Sequence, residues 1–436
     1  ATAEIYTLSL HDALPISLLM DREGTLWIGT EMGGINKLDP RYIKFYHFAN
    51  DPNNERSLSN NSVWAMLQDR EDTFWVGTRE GGLNRYDTRQ KRFDHFVHNP
   101  EVPASLSDDY IRKIFEDSRG NLWIGTDTGG LERFDRKRGT FTHLSHNPVD
   151  PSSISSDRIY DIFEDSQGTL WIATRTGGVN QLKSVDPPVF THFMHDPADA
   201  DTINDNFIYK IYEDRNGVLW FGTFSAGLDR YNRESGRFTH YTHDPNNPKS
   251  LSHNVVLTIF QDSRGTLWVG TGGGGINKFN PEDETFTYYL EEDGLANEVV
   301  YGVLEDSKGY LWISTNNGLS RFDPEKETFK NFGMADGLLS KEYNGGAYML
   351  SRSGYMFFGG INGIDYFDPT TIQDNPFVPP VYITSFQLAR STTNGEPHDY
   401  LPRPVTELEE ITLTHRDNIF SIGFVALNYT TPEKNR

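Results

Sequence analysis

The chain has 436 residues, enough for one large domain and part of another. Aromatic residues make up 13% of it and glycine contributes 39 positions, while 23% are charged, a mixture that favours short, tightly turned strands over long helices. The formal net charge of −22 opposes binding to a phosphate backbone, and the absence of cysteine excludes disulfides, thiol catalysis and thiolate metal sites.

The first sixteen residues do not match the rest of the chain. Residues 1–16 read ATAEIYTLSLHDALPI, have no counterpart further along, and are similar to a translated sequencing adapter. We therefore expect residues 1–16 to be foreign to the fold, to have no packing role, and to stand in place of the natural N-terminus. No secretory signal and no apolar stretch of membrane-spanning length is visible in the chain.

From residue 17 onwards the sequence repeats with a period of about 48 residues, which falls in the range of propeller blades. The clearest copy is DSRGNLWIGTDTGGLERFD, from Asp117 to Asp135. A period of this length with a strand-type pattern predicts β-propeller blades rather than a helical solenoid. The other copies begin at Asp21, Asp69, Asp165, Asp214, Asp262, Asp306 and, in degenerate form, Ser351.

Each copy divides into four short strands, and the second strand carries a strict pattern. An aromatic residue is followed two positions later, on the same strand face, by a small residue. We interpret the pair as a packing code: the aromatic ring fills the wedge between blades, and the small residue lets the next blade approach. The aromatic positions are Trp27, Trp75, Trp123, Trp171, Trp220, Trp268, Trp312 and Phe357, and the small ones are Gly29, Gly77, Gly125, Ala173, Gly222, Gly270, Ser314 and Gly359.

Counting strands predicts a ring of seven four-stranded blades over residues 41–372. The last copy has three recognisable strands and no fourth, while an unpaired strand at residues 44–48 precedes the first complete blade. Pairing the two would close the ring and remove exposed sheet edges. Residues 17–40 would then be a remnant blade of a preceding propeller, and an eight-bladed ring is the alternative.

The repeat stops after Asp368. Prolines at 376, 379 and 380 mark a linker, and strands are predicted at residues 381–388, 411–413 and 420–429. We expect residues 379–436 to open an Ig-like β-sandwich that is incomplete. The predicted fold class is therefore all-β, a seven-bladed propeller followed by part of a sandwich.

Two groups of residues that could hold a metal are interpreted as structural. Histidines recur as H-x-x-H, but residues three apart on a strand point to opposite faces, and each pair belongs to a different blade. The acidic loop 196–206 lacks the central Gly and terminal Glu of an EF-hand loop. No nucleophile or phosphate-binding motif stands out, so the sequence predicts no cofactor, no metal and no catalytic residue. The histidine pairs are His95/His98, His143/His146, His192/His195 and His240/His243.

Positions that vary between copies predict a ligand-binding face. They lie just inside the first strand, in the loop before it, and in the turn after the second strand. If the first strand is innermost, they meet at one mouth of the central channel, on loops held by a rigid scaffold. Aromatic rings beside arginines suit sugars, which offer flat apolar faces and hydroxyl groups. The recurring Arg85, Arg133, Arg230 and Arg321 are instead expected to be structural. The predicted ligand-binding residues are Trp64, Arg79, Tyr110, Arg112, Arg158, Tyr160, Arg175, Phe207, Tyr209 and Phe224.

The LWIGT…GGL unit resembles the repeat of two-component regulator propellers, and the tail FSIGFVALNYTTPEKNR resembles the start of the Y_Y_Y domain that follows such propellers. The resemblance covers residues 17–436. It implies the periplasmic sensor region of a membrane-bound signalling protein, in many members a hybrid histidine kinase that detects oligosaccharides and in others a protein with a different output domain. On this basis the parent protein is expected to be membrane-anchored and homodimeric, with its kinase domain outside this chain.

We therefore predict a non-catalytic module that binds a small molecule or oligosaccharide and has no nucleic-acid partner. One alternative is a protein-interaction scaffold of the WD40 type, which would expose a wide hydrophobic face. The other is an enzyme like the streptogramin lyases, whose propellers carry a similar D-x-x-G-x-x-W turn and would need a lone histidine near the channel. His253, in the loop before the first strand of its unit, is the histidine that departs from the repeat.

Overall fold

The computed structural model describes residues 15–21, 26–31, 34–38, 45–372, 381–388, 405, 410–413 and 419–426. The chain divides into two compact units, Lys44–Ile372 and a second unit made of Ala1–Ile43 and Gln373–Arg436. Apart from the 3-10 helices Glu291–Asp293, Met334–Asp336 and Pro369–Thr371, the regular structure of these described ranges is all strand, which confirms the predicted fold class. None of their helices has the length and apolar character needed to cross a membrane.

Seven four-stranded antiparallel sheets form the unit Lys44–Ile372. The strands before blade one are β1 (Pro15–Met20), β2 (Leu26–Thr30), β3 (Gly34–Leu38) and β4 (Tyr46–Phe48). Blade one is β5 (Val63–Gln68), β6 (Phe74–Thr78), β7 (Leu83–Asp87) and β8 (Arg92–Phe96). Blade two is β9 (Ile111–Glu116), β10 (Leu122–Thr126), β11 (Leu131–Asp135) and β12 (Thr140–Leu144). Blade three is β13 (Ile159–Glu164), β14 (Leu170–Thr174), β15 (Val179–Val185) and β16 (Pro188–Phe193).

The remaining blades follow the same order. Blade four is β17 (Ile208–Glu213), β18 (Leu219–Thr223), β19 (Leu228–Asn232) and β20 (Arg237–Tyr241). Blade five is β21 (Val256–Gln261), β22 (Leu267–Thr271), β23 (Ile276–Asn280) and β24 (Thr285–Tyr289). Blade six is β25 (Val300–Glu305), β26 (Leu311–Thr315), β27 (Gly318–Asp323) and β28 (Thr328–Phe332). Blade seven is β29 (Tyr343–Leu350), β30 (Met356–Gly360), β31 (Gly363–Phe367) and β4, and β32 (Val381–Leu388) and β33 (Phe420–Ala426) come last.

The first strand of every blade lies innermost. Each packs against the first strand of the next blade, in the order β5, β9, β13, β17, β21, β25, β29 and back to β5. The seven first strands therefore surround a central channel, and the later strands of each blade lie progressively further out. The prediction of seven blades is confirmed, and the eight-bladed alternative is wrong.

The ring closes as predicted, by pairing an early strand with the last blade. Strand β4 pairs antiparallel with β31, placing Tyr46, His47 and Phe48 opposite Tyr366, Asp365 and Ile364. The His47 Nδ1 atom lies 2.8 Å from the buried carboxylate of Asp365. Because β4 completes blade seven, the two ends of the ring are joined within one sheet, and β31 is paired on both sides.

The seams between blades are built on a repeated pair, a tryptophan and an aspartate six residues earlier. In blades one to six the indole N–H donates to the aspartate at 2.8–3.0 Å, and each of these indoles is at most 3% exposed. The Trp75 ring packs edge-to-face on Phe134 of blade two, with centroids 5.6 Å apart. A Cβ atom added to Gly77 would lie 2.5 Å from Ile111 of blade two, so the small position also allows the close approach of the next blade. The predicted packing code is confirmed.

The seam between blades seven and one departs from this pattern. Phe357 stands in the tryptophan position and Ser351 in the aspartate position. Phe357 is half-buried, whereas the indoles of the other seams are fully buried. The smaller ring leaves an open cleft, whose walls are Phe48, Gln68, Asp72, Phe74, Tyr86, Thr88, Met349, Ser353, Tyr355, Phe357 and Tyr366.

The described residues of the second unit form two small sheets. Strands β1, β2 and β3 form a blade-like sheet in which Trp27 donates to Asp21 at 2.8 Å, as in the complete blades. Strand β1 begins at Pro15, so the predicted foreign segment 1–16 overlaps it by two residues. Residues 1–14 lie outside the described ranges, and the absence of a packing role for them stays a prediction, as does the assignment of 17–40 to a preceding propeller.

The described residues of the tail form one sheet of two strands, β32 and β33. Strand β32 has the predicted bounds, and β33 ends at Ala426. The prediction of a strand at 411–413 is wrong, because this segment joins no ladder and β32 pairs directly with β33. Residues 427–429 lie outside the described ranges, and an Ig-like sandwich over 379–436 stays a prediction.

Restoring the pair at the seventh seam is expected to stabilise the propeller. The double change Ser351→Asp and Phe357→Trp would fill the cleft with an indole and give its N–H an acceptor. We expect a gain of about 0.5–2 kcal/mol in the free energy of unfolding, the usual range for filling a cavity. Urea titration followed by fluorescence measures it. A loss of stability would show that the cleft is already packed as tightly as its neighbours.

Removing the closing strand is expected to cost much more than removing the residues before it. A chain that starts at Phe45 keeps β4, whereas a chain that starts at Asp51 lacks Phe45 and Phe48, which pack on Phe367 and Tyr366. Losing two packed aromatic rings should lower the free energy of unfolding by at least about 3 kcal/mol. Thermal unfolding of the two truncated chains, side by side, provides the test. Equal midpoints would mean that closure contributes nothing to stability.

Candidate functional site

One backbone hydrogen bond per blade places the predicted binding residues at the same mouth of the channel. In blades one to four the first residue after the second strand donates its N–H to the carbonyl of a residue just before the first strand, at 3.0 Å. The turn after the second strand is thereby tied to the entrance of the innermost strand. The donor and acceptor residues are Arg79 and Ser62, Asp127 and Tyr110, Arg175 and Arg158, and Phe224 and Phe207.

Arg112 is the centre of the first half of this mouth. Its guanidinium carbon lies 4.1 Å from the ring centroid of Tyr110 and 4.6 Å from those of Trp64 and Tyr160. The same guanidinium is 2.8–2.9 Å from one carboxylate oxygen of Asp127, and the two side chains are 12% and 16% exposed. Three aromatic rings and one carboxylate therefore fix the position of a single cation, a far stronger restraint than a surface ion pair supplies.

Four aromatic rings in contact with one another form the second half of the mouth. Phe207 stacks on Phe224 with centroids 4.5 Å apart and an angle of 18° between the rings. Tyr160 meets Phe207 edge-to-face at 4.7 Å, and Tyr209 lies 6.2 Å from Phe224. Phe224 remains 41% exposed, so the stack presents one open ring face to solvent. We call the residues Trp64, Tyr110, Arg112, Tyr160, Phe207, Tyr209 and Phe224 the aromatic–arginine cluster.

Tyr110 and Tyr209 of the aromatic–arginine cluster keep their protons at neutral pH. Burial raises the pKa of Tyr110 to about 12, although the neighbouring Arg112 acts in the opposite direction. Burial also raises the pKa of Tyr209. The Tyr209 hydroxyl reaches across the channel to Gly345 of blade seven, where any larger residue would collide with it. Both phenols are therefore hydrogen-bond donors, and Tyr209 narrows the channel below the mouth.

The three other predicted residues stand at the rim. Arg79 and Arg175 are exposed, and their guanidinium carbons lie 5.7 Å from the rings of Tyr110 and Phe207 respectively. Arg158 is half-buried, and its backbone, not its side chain, makes the contacts that the structure shows. The geometry thus brings nine of the ten predicted residues into one connected group.

The recurring arginines and histidines serve the blades, as their repetition predicts. Arg85 pairs with Asp94 at 2.8 Å, and Arg230 with Glu284 at 2.8 Å. In blade one His95 and His98 donate to the backbone carbonyls of Ser57 and Leu106 at 2.8 and 2.7 Å. The other pairs make the same contacts, and no described group of three or more His, Asp or Glu side chains is arranged to hold a metal ion.

Sequence reasoning missed a charged group directly below the aromatic–arginine cluster. Asp161 lies 2.7 Å from the Lys113 ammonium and 3.0 Å from that of Lys210. The three residues line the same cavity as Trp64, Arg112, Tyr160 and Tyr209. A signal was present, because ionisable residues occupy the third position of the first strand in three consecutive copies, where other copies have Ala65, Thr258 and Gly302.

Seven segments of the chain match the sequence model described as two component regulator propeller: residues 9–32, 57–80, 105–128, 153–176, 202–225, 250–273 and 294–317. Six of them lie in blades one to six, and the first covers β1 and β2. Repeats and blades therefore coincide except in blade seven, where the degenerate copy goes unmatched. The chain is a propeller protein built from two component regulator propeller repeats.

Known proteins of similar structure include extracellular domains of two component systems. The extracellular domain described as that of hybrid two component system BT3049 from B. thetaiotaomicron is 26% identical, with a TM-score of 0.73 over 95% of this chain and 53% of that one. A histidine kinase, P4, from Formosa agariphila is 26% identical over 125 residues, which make up 28% of this chain and 9% of the kinase. The chain thus spans about half of the solved neighbour and a small part of the kinase.

An enzyme shares the fold alone. Virginiamycin B lyase from Staphylococcus aureus is 13% identical, with a TM-score of 0.52 over 74% of this chain and 97% of the lyase. In this chain the lone His253 accepts the backbone N–H of Val255 at 3.1 Å through Nδ1. The likeness establishes a common propeller architecture and no common chemistry.

The Arg112–Asp127 pair is expected to show strong coupling in a double-mutant cycle. Because both side chains are largely buried, Arg112→Met alone and Asp127→Asn alone each leave a polar partner without its counterpart. We expect a coupling energy of about 1–3 kcal/mol between the two changes. Denaturant unfolding of the two single variants, the double variant and the wild type gives the value. Additive effects would mean that the rings, not the carboxylate, position the guanidinium.

Proposed function

We propose that this propeller is the ligand-sensing module of a membrane-bound signal-transduction protein, and that it lies outside the cytoplasm, in the periplasm. The neighbour with 26% identity is described as an extracellular domain of a hybrid two component system, and the shorter match is to a histidine kinase. Both support a parent protein of the hybrid histidine kinase type. We further propose that this parent is anchored in the inner membrane and homodimeric. The chain itself then binds a ligand and catalyses nothing.

The observation that carries the proposal is the aromatic–arginine cluster at one mouth of the channel. Blades one to four supply it, and the equivalent turn of blade five consists of Gly272, Gly273, Gly274 and Gly275. The mouth is therefore asymmetric, because the glycines of this turn carry no side chains to match the rings of blades one to four. A wide apolar face for a protein partner is not what this geometry offers, because Arg79, Asp127 and Arg175 interrupt it.

An oligosaccharide suits this mouth. A pyranose ring presents an apolar face that packs on an aromatic ring, and its hydroxyls need fixed donors and acceptors. The open face of Phe224 and the indole of Trp64 supply the flat surfaces, while the exposed guanidinium groups of Arg79 and Arg175 supply donors. Because the blades hold these groups rigidly, little conformational entropy is lost when a ligand binds.

Phe224→Ala and Trp64→Ala are each expected to weaken binding of an oligosaccharide by about tenfold or more, which corresponds to about 1.4 kcal/mol. Isothermal titration calorimetry against a panel of plant and host glycans provides the measurement. Tyr288→Ala, an aromatic change on the outer strand β24, is the matched control and should leave affinity unchanged.

Two results would contradict this proposal. Full-strength glycan binding by the Phe224 and Trp64 variants would place the site away from the aromatic–arginine cluster. Chemical conversion of a bound glycan would show that the propeller is an enzyme. Trp171→Ala distinguishes folding from binding, because loss of this buried ring should destabilise blade three by about 3–5 kcal/mol without touching the mouth.

A further inference from the structure

The third position of the first strand forms a single layer around the channel. In blades one to six its residue pairs across the ladder with the small residue of the second strand, so it occupies the same depth in each blade. The residues of this layer are Ala65, Lys113, Asp161, Lys210, Thr258 and Gly302, and in blade seven Ala347, the fifth residue of β29, takes the equivalent place opposite Gly359. The layer therefore contains two ammonium groups and one carboxylate.

Each carboxylate oxygen of Asp161 already has two partners. Its Oδ1 lies 2.7 Å from Lys113 Nζ and accepts the Ile162 N–H at 3.1 Å, and its Oδ2 lies 3.0 Å from Lys210 Nζ and accepts the Ile211 N–H at 3.0 Å. Among the described residues neither ammonium forms an ion pair with a second carboxylate. Each ammonium carries three N–H donors and finds one charged acceptor, so donors remain on both.

The surroundings do not neutralise the excess charge. The lysine side chains are 20% and 17% exposed and Asp161 is 3% exposed, so water screens the group weakly. Arg112 lines the same cavity, but its charge is matched by Asp127. On the opposite side of the channel, Thr258 and the Tyr348 hydroxyl bond to each other at 2.8 Å and carry no charge. A net positive charge in a poorly solvated cavity is costly unless an anion accompanies it.

We propose that the cavity beneath the aromatic–arginine cluster binds a compact monovalent anion between Lys113 and Lys210. Halide ions and carboxylate groups carry a single negative charge and accept hydrogen bonds from ammonium donors. Burial lowers the pKa of Lys113, and the neighbouring ammonium of Lys210 acts in the same direction. Burial also acts to lower the pKa of Lys210, but the Asp161 carboxylate outweighs it and raises that pKa. An anion relieves the repulsion between the two ammonium groups and uses the remaining donors.

Two sources can supply this anion. One is a free ion from solution, and this form of the inference is independent of the proposed function. The other is the carboxylate of a ligand bound to the aromatic–arginine cluster. This second form of the inference rests on the proposed function, and it would make the ligand an acidic sugar. The cavity is shared by both layers, since Trp64, Tyr160 and Tyr209 line it together with the lysines.

Chloride-35 NMR line broadening tests the site with the whole chain. We expect excess chloride line width for the wild type, and its loss in Lys113→Met and in Lys210→Met, which keep the length of the side chain and remove its charge. Lys249→Met, at a side chain 69% exposed, is the matched control and should retain the wild-type line width. Equal line widths for the wild type and the Lys113 variant would overturn the proposal.

A crystal of the wild type grown in bromide gives a readout that needs no variant. We expect an anomalous peak within hydrogen-bond distance of both ammonium groups, and its absence from the cavity would overturn the proposal even if the lysine variants failed to fold. Addition of glucuronate, with glucose as the neutral control, identifies the source. Reversal of the chloride broadening by glucuronate alone assigns the anion to a ligand carboxylate, whereas no reversal by either sugar assigns it to a free ion.

The outcome is separable from that of the proposed function. Phe224→Ala should weaken a glycan that binds at the mouth while leaving the chloride line width unchanged, because Phe224 does not line the cavity. Loss of glycan binding with intact chloride binding in the Phe224→Ala variant would support both the proposed function and the anion site. Chloride binding without any glycan affinity would support the anion site and contradict the sugar-sensing role.

Discussion

The hydrogen bond from a tryptophan N–H to an aspartate six residues earlier is the interaction on which the rest of this propeller depends. It turns the largest side chain of each repeat into a fixed wedge at the seam, at most 3% exposed in blades one to six. Without an acceptor the buried indole N–H would cost the desolvation of a polar group, so wedge and acceptor recur together. Identical seams then set the same angle between each pair of neighbouring blades. The ring closes because seven seams, one of them degenerate, complete the circle.

The repeat also explains how much could be foreseen from the sequence. Every four-stranded blade, the closing strand and the packing role of the tryptophans follow from patterns that recur, since recurrence separates what packing fixes from what it leaves free. The strand expected at 411–413 had no repeat to support it, and its short apolar run found no partner strand. The predicted site residues fell together because each occupies an equivalent position in its own blade, and equivalent positions in a ring converge on one mouth.

Contacts between blades could not be predicted from the repeat. Arg112 is held by rings from three different blades and by a carboxylate from its own, an arrangement that depends on the angles between blades and not on any one repeat. The same is true of Asp161 and its two lysines, each from a separate first strand. A repeat alignment shows that these positions vary; the closed ring shows which of the varying residues touch.

The pairing of β4 with β31 has a mechanical consequence. Tyr46 lies opposite Tyr366, so the segments that enter and leave the ring do so at the same end of a three-pair ladder. A pull that separates those segments would load one pair at a time, as when a zipper is opened, and not the whole ladder at once, as in shear. Such a force would meet the rings of Phe45 and Phe367, 5.0 Å apart, and then the stacked rings of Tyr46 and Tyr366, 5.3 Å apart. Tension on its flanks would therefore release blade seven long before it disturbed any other blade.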